Sequence, residues 1–152
     1  MSLPALLLGM LLVGVVGGLY RTYRVEHSPN QAKFWGGHVP STLPSGFFKG
    51  SALTGLGKNW QGKVFDRHKG KGINQFTDGK RYSFRVYPAA GLRDADMQVL
   101  RIDYNQPGNP WWLRFVVDEI VQVSPGHYLG KVHVKILPGL PFSLTYFELS
   151  ST

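Results

Sequence analysis

Two hydropathy regimes divide the chain. Residues 3–20 (LPALLLGMLLVGVVGGLY) carry no charged side chain, and Arg21 and Arg24 follow at once. Eighteen residues at helical rise span roughly 27 Å, close to the roughly 30 Å hydrocarbon core of a bilayer. From Gly46 onward the pattern changes to short runs of period two, broken by glycine and proline, which read as successive β-strands. These are Gly46–Leu53, Trp60–Arg67, Gly72–Thr77, Arg81–Tyr87, Met97–Tyr104, Trp111–Val117, Glu119–Val123, Tyr128–Ile136 and Phe142–Leu149. The alternation is clearest where Tyr82, Phe84 and Val86 share one face and Arg81, Ser83 and Arg85 the other. Val132, Val134 and Ile136 likewise oppose Lys131, His133 and Lys135.

The breaks between runs are strong turn signals: Thr77-Asp78-Gly79-Lys80, Gln106-Pro107-Gly108-Asn109-Pro110, Ser124-Pro125-Gly126 and Leu137-Pro138-Gly139-Leu140-Pro141. Asp78-Gly79 is a hairpin pair of the type that needs positive φ. Connections this short join antiparallel neighbours only. Eight or nine such strands must hide two edges, and closing the meander into an up-and-down barrel removes them. The expected fold is therefore all-β, an eight- to nine-stranded antiparallel barrel behind one N-terminal transmembrane helix, with a β-sandwich as the alternative. Three segments follow: an anchor and its flank (1–24), a linker (25–45) and the β-domain (46–152). The linker has no clean period, and Pro29, Gly36, Gly37, Pro40 and Pro44 punctuate it. Phe34 and Trp35 are its expected anchors on the domain or the membrane surface.

The apolar start lacks both the basic n-region and the A-x-A-like site of a cleaved secretory signal, so it reads as a permanent single-pass anchor. Arg21 and Arg24 at its C-terminal flank place the globular domain on the cytoplasmic side of a cell (inner) membrane. Gly9, Gly14 and Gly18 line the helix, and Gly14 and Gly18 form a G-x-x-x-G pair that admits a second helix; glycine is also simply common in such spans.

Composition narrows the partners. The 152 residues include no cysteine, which removes disulfides, iron–sulfur clusters and thiolate zinc sites. The net charge of +8 is uneven. Lys58, Lys63, Arg67, Lys69, Lys71, Lys80, Arg81 and Arg85 fall in one segment, opposed there only by Asp66 and Asp78. For a tethered domain the nearest counter-charge is the anionic lipid headgroup. Nucleic acid is not expected, since no helix-turn-helix, zinc finger or RNP-type motif accompanies the charge. A membrane- or partner-facing surface of Arg21, Arg24, Trp35, Lys63, Arg67, Lys69, Lys71 and Trp112 follows from these patterns. In Trp111–Val117, strand alternation would turn one tryptophan in and leave Trp112 out beside Val116 as an apolar stripe.

The glycine-flanked Trp60 in GLGKNWQGKVFD, the run Tyr128-Leu129-Gly130-Lys131 and the closing strand Phe142–Leu149 resemble small bacterial calycins, the lipocalin-like barrels of an uncharacterised family. Gly57 stands three residues before Trp60, where the lipocalin pattern has two. The resemblance covers residues 46–149. It implies an interior cavity and an apolar small-molecule ligand such as a lipid, quinone or pigment.

Candidate chemistry is sparse. Asp103, Asn105, Asp118 and Glu119 form one acidic cluster. Asp103 and Asn105 flank a turn, where short polar side chains bind their own backbone. Asp118-Glu119 is expected at a strand break, paired with Arg101 or Arg114. His127 and His133 stand about 20 Å apart at strand rise, too far to share a metal, and His133 beside Lys131 and Lys135 reads as solvated. A lone histidine can ligate haem iron, but no cofactor is expected here. There is no G-x-S-x-G elbow and no Walker loop around Gly70-Lys71-Gly72. The expected role is a non-catalytic accessory subunit of a larger membrane complex. The alternative is a membrane-tethered binder of a hydrophobic small molecule.

Overall fold

A computed structural model of the chain describes residues 2–52 and 57–152. Leu53, the last residue of the first expected strand, and Gly55-Leu56 of the GLGKNW motif lie outside them. Helix α1 (Leu3–Glu26) opens with Pro4 in its first turn, where a missing N–H costs nothing. It stops at His27, two residues before Pro29, because the residue preceding a proline is pushed into extended backbone. Pro29 then starts a second helix, α2 (Pro29–Trp35). The segment expected to be an irregular linker thus contains the last two residues of α1 and a short helix. Seven residues are too few for a readable helical period.

Among the described residues eight strands follow: β1 (Gly46–Ala52), β2 (Trp60–Asp66), β3 (Lys71–Phe76), β4 (Gly79–Ala90), β5 (Gln98–Asp103), β6 (Val116–Ser124), β7 (His127–Leu137) and β8 (Leu140–Ser151). Each pairs antiparallel with the next, and β1 pairs with β8 from Phe48↔Ser151 to Ala52↔Phe147, so the sheet is a closed barrel. The sandwich alternative is excluded by this closure.

The ninth expected strand does not form. Residues 111–115 make a turn and one 3-10 turn, Leu113–Phe115, and the ladder resumes only at Val116. Pro110 cannot donate to a ladder, and its carbonyl accepts from Leu113 N–H at 3.1 Å. Asn109 anchors the loop by donating from Nδ2 to Ser83 O (2.7 Å) and Tyr104 O (2.8 Å). A three-residue turn buries Leu113 and turns both Trp111 (75% exposed) and Trp112 (50% exposed) outward. The expected in-and-out alternation of the two tryptophans is therefore corrected.

Inside the barrel pack Phe48, Phe65, Phe84, Leu100, Ile102, Tyr104, Ile120, Tyr128, Phe147 and Leu149. Edge-to-face pairs link them, such as Phe48 with Phe65 and Phe84 with Tyr104. A second cluster lies outside the barrel wall, where Val25 of α1 and Phe34 of α2 cover Val99, Val121, Leu129 and Tyr146. Phe34 anchors the segment as its sequence suggested, while Trp35 is exposed.

The direction of α1 fixes which barrel end it leaves. Gly18 meets the ring of Phe142, Thr22 accepts from Ser143 N–H, and Val25 joins the cluster of Tyr146. The helix therefore passes β8 in the strand's own sense. Residues 3–17 extend toward the end where β8 begins. The β7–β8 turn, the β5–β6 connection and the β3–β4 hairpin share that end; the β2–β3 and β6–β7 turns lie at the opposite one.

Candidate functional site

Two polar assemblies, one inside the barrel and one under the helices, carry the unusual chemistry of this chain. The inner one centres on Lys63. A bulge between Trp60 and Gly62 shifts the phase of β2 by one residue, so Trp60, Lys63 and Phe65 all turn inward. Lys63 is only 2% exposed. Its expected place on a basic outer surface is corrected on that ground. Its ammonium donates to Asp118 Oδ2 (2.9 Å), to Asn74 Oδ1 (3.0 Å) and to the Tyr104 hydroxyl. Tyr104 in turn donates to Asp118 Oδ2 at 2.9 Å, and Trp60 Nε1 donates to Asn74 at 3.0 Å. The rings of Trp60, Phe84, Tyr104 and Phe147 surround the nitrogen at 5.2 to 5.4 Å.

Burial pushes the Lys63 ammonium below its ordinary range, and the Asp118 carboxylate pulls against that shift. Burial pushes the Tyr104 phenol well above its own range, with Asp118 adding to the effect. Charged Lys63 commits all three N–H groups and keeps no lone pair for attack. A cavity of about 200 Å³ touches this group, lined by Trp60, Lys63, Asp118, Val132 and Phe147.

The outer assembly seals α1, α2 and the β4–β5 connection onto the barrel wall. Asp118 and Glu119 sit mid-strand in β6, not at the expected strand break, so their side chains part to opposite sides of the wall. Glu119 accepts from Leu92 N–H (2.6 Å) and from His133 Nε2 (3.0 Å), and Arg101 stands 3.8 Å away. Ser143 Oγ is 3.1 Å from His133 Nδ1, and Ser143 N–H donates to Thr22 Oγ1 of α1 at 2.9 Å. The Ser–His–Glu order is that of a nucleophile relay, but the serine sits on Nδ1 and all three side chains are fully buried. In this arrangement the row pins α1 to β7 and β8. His133, expected in solvent, is buried because a helical layer covers that face of β7.

Lys131, buried beside it, donates to Gln31 Oε1 and Asp94 Oδ2, both at 2.9 Å. Tyr146 donates to the same Gln31 oxygen. Asp94 also accepts from Gln31 Nε2 (2.9 Å) and Trp35 Nε1 (2.8 Å), and Arg93 pairs with Glu26. Burial of Asp94 works to raise its carboxyl, but the Trp35 and Lys131 donors outweigh it and hold the group below the usual carboxylate range. Because its folded value is depressed, its stabilisation is present above the unfolded value of 3.8 and is lost as pH falls below it. Acidification below about pH 4 is expected to free α2 first. Hydrogen exchange across residues 29–36 is the measurement; protection there that persists after the barrel has opened would contradict this role for Asp94.

The remaining expected surface residues scatter. Gly9, Gly14 and Gly17 face open space, whereas Gly18 is occupied by Phe142 of the same chain, 2.9 Å from where a Cβ would stand. Gly14 and Gly18 therefore do not share one free face. Arg21 donates to Leu144 O at 2.5 Å, and Arg24 stays exposed beside Tyr20. Arg67 and Lys69 lie in the β2–β3 turn and Lys71 opens β3, all at the end opposite to the helix exit; Arg67 Nε donates to Leu43 O at 2.6 Å. Trp112 stacks edge-on against Tyr82, a residue with φ of 64°. Asp103 accepts from Asn105 N–H at 2.8 Å, the turn bond expected of it. No group of three or more His, Asp or Glu side chains able to hold a metal ion occurs among the described residues.

Sequence reasoning missed Gln31, Asp94, Thr22, Ser143 and the inward turn of Lys63. The one available signal was Lys63 between Gly62 and Val64-Phe65, a charge inside an apolar run.

No family model matches the chain, and no curated protein does. A solved crystal structure, described as that of a protein from Thermomonospora curvata, is similar with a TM-score of 0.44 and 20% identity, covering 81% of this chain and 96% of that one.

Proposed function

We propose that this protein is a non-catalytic, single-pass accessory subunit of a larger membrane complex, its barrel held at the membrane surface. Arg21 and Arg24 favour the cytoplasmic side. The observation that carries this reading is a bare apolar rod joined rigidly to a packed domain. Leu3, Leu7, Met10, Val13 and Val16 are all exposed, and Gly9, Gly14 and Gly17 present open space to a neighbour. Lipid provides no hydrophobic drive for helix pairing, so open glycines favour close approach of a second helix. The buried bond of Thr22 to Ser143 and the partly buried Glu26–Arg93 pair, with Gln31 of α2 packed behind them, hold that rod at one angle to the barrel.

The test is purification in mild detergent, with Gly14→Leu as the probe. A Cβ at Gly14 would meet nothing within 4 Å among the described residues, so this change leaves the barrel intact while blocking a helix partner. Wild type is expected to co-purify with other membrane subunits and the variant to lose them at unchanged thermal stability. A wild-type protein that migrates as a lone monomer would overturn the proposal.

A lipocalin-like binder of an apolar small molecule is the second reading, favoured by the meander topology and the cavity beside Trp60. It is the weaker one. Inward aromatics fill the interior, and about 200 Å³ falls below the roughly 300 Å³ at which ligand sites begin.

A further inference from the structure

The barrel end from which α1 departs carries an unpartnered aromatic and basic rim. Its parts come from two connections that the meander brings together. Trp111, Arg114 and Phe115 lie on the β5–β6 connection, and Lys135 and Ile136 precede the β7–β8 turn. Asn105, Trp111, Arg114, Phe115 and Lys135 line an open groove of about 420 Å³. Trp111 and Phe115 stand edge to face at 6.5 Å, and Ile136 is 63% exposed. Among the described residues, Arg114 and Lys135 have no acidic side chain within 4.0 Å. Arg114 makes one bond of 3.3 Å from Nε to Asn109 O, which leaves its two terminal nitrogens available.

We infer that this rim rests on the bilayer and that its groove takes the phosphate of an anionic phospholipid. The inference depends on α1 spanning the membrane as proposed above. Three observations converge on a lipid occupant. The rim and the apolar length of α1 leave the barrel on the same side. Tryptophan beside exposed aliphatic and aromatic groups is the composition of a membrane interface. Two unpaired cations flank that apolar patch, and a planar guanidinium binds phosphate oxygens in pairs. The basic β2–β3 turn, by contrast, points to the other end, so the lipid-facing charge is not where the density of Lys and Arg along the sequence is highest.

The experiment uses the full chain in vesicles of phosphatidylcholine, with and without phosphatidylglycerol, some carrying brominated acyl chains. Flotation reports anchoring; bromine quenching of tryptophan reports contact of the rim. Wild type is expected to float in both lipids and to be quenched more strongly with phosphatidylglycerol. Trp111→Phe with Trp112→Phe removes most of the quenching, and Arg114→Gln with Lys135→Gln abolishes the phosphatidylglycerol increment. Circular dichroism confirms that each variant is folded. Flotation with quenching unchanged by the tryptophan variants overturns the rim inference and leaves the anchor standing. Quenching that ignores both lipid charge and the Arg114/Lys135 variant overturns the headgroup assignment. Failure to float overturns the anchor and this inference together.

Discussion

Replacing Asp118 with alanine is expected to destabilise the barrel by about 3–5 kcal/mol, because it leaves the Lys63 ammonium buried without its counter-charge. Small domains have only about 5–15 kcal/mol of stability in total, so the variant stands near the edge of folding. A thermal or urea midpoint in detergent measures the loss. The paired change Lys63→Met with Asp118→Leu removes both charges at similar volume, leaves only the neutral Tyr104 hydroxyl without its acceptor, and is expected to cost about 1–2 kcal/mol, well under the single variant. The single and double variants must diverge; if they lose equal stability, the ion pair is not the source. The pH dependence adds a sign. Asp118 is the cause that raises the Lys63 value against burial, so its removal deepens the depression. The unfolded chain then keeps a proton on Lys63 up to 10.5 that the folded chain has already released. Stability of Asp118→Ala therefore rises with pH, and its deficit narrows from neutral pH toward pH 10. Above about pH 10 the trend reverses, since the unfolded Tyr104 phenol ionises while the buried one keeps its proton.

Gly62→Ala is expected to abolish the barrel. Gly62 has φ of +145°, and a Cβ there would stand 2.0 Å from Phe48 O and 2.8 Å from Gly50 N. Both are backbone atoms of β1, which pairs with β2 at this point through Lys49↔Gly62. No rotamer change relieves such an overlap, and the strands must separate. Since β1 closes the sheet against β8, the loss spreads to the closure itself. The variant should lose its near-ultraviolet dichroism and its cooperative melt. Gly79→Ala is the control: its φ of +136° carries strain, but the space around it is open, so about 1 kcal/mol is expected. A Gly62→Ala protein that melts like the control would refute the clash.

Much of the architecture was legible in the chain. Asp78-Gly79, Ser124-Pro125-Gly126 and Pro138-Gly139 mark real turns, and seven of the eight strands begin within two residues of where an expected run begins; β6 alone does not, since it starts late inside the run Trp111–Val117 and continues through the break expected at Asp118. What failed has three physical causes. A single extra residue before Gly62 reverses which faces are buried downstream, and nothing local in Gln61 announces it. Without the bulge, alternation from an inward Trp60 would turn Lys63 outward. The second cause is layering. Period two shows that Lys131 and His133 share a face, but whether water or a helix covers that face depends on residues about a hundred positions away, at Thr22 and Gln31. The third is competition between neighbours: Trp111–Val117 has strong strand propensity, yet Pro110 and the Asn109 anchor decide the backbone. Of the rim, the sequence points only to an outward tryptophan on the same connection, Trp112 and not Trp111; Arg114 and Lys135 meet only because the meander brings the β5–β6 connection to the β7–β8 turn.

The polar seam under α1 also has a mechanical consequence. Arg21 and Thr22 tie the helix to β8, and Glu26 ties it to Arg93 of the β4–β5 connection, leaving no pivot between rod and cylinder. For a span embedded as proposed, inclination of the rod and inclination of the cylinder become one coordinate. A bilayer that thins or thickens changes the tilt of such a span, and the β2–β3 turn, with Arg67 and Lys69 at its tip, would sweep through the largest arc.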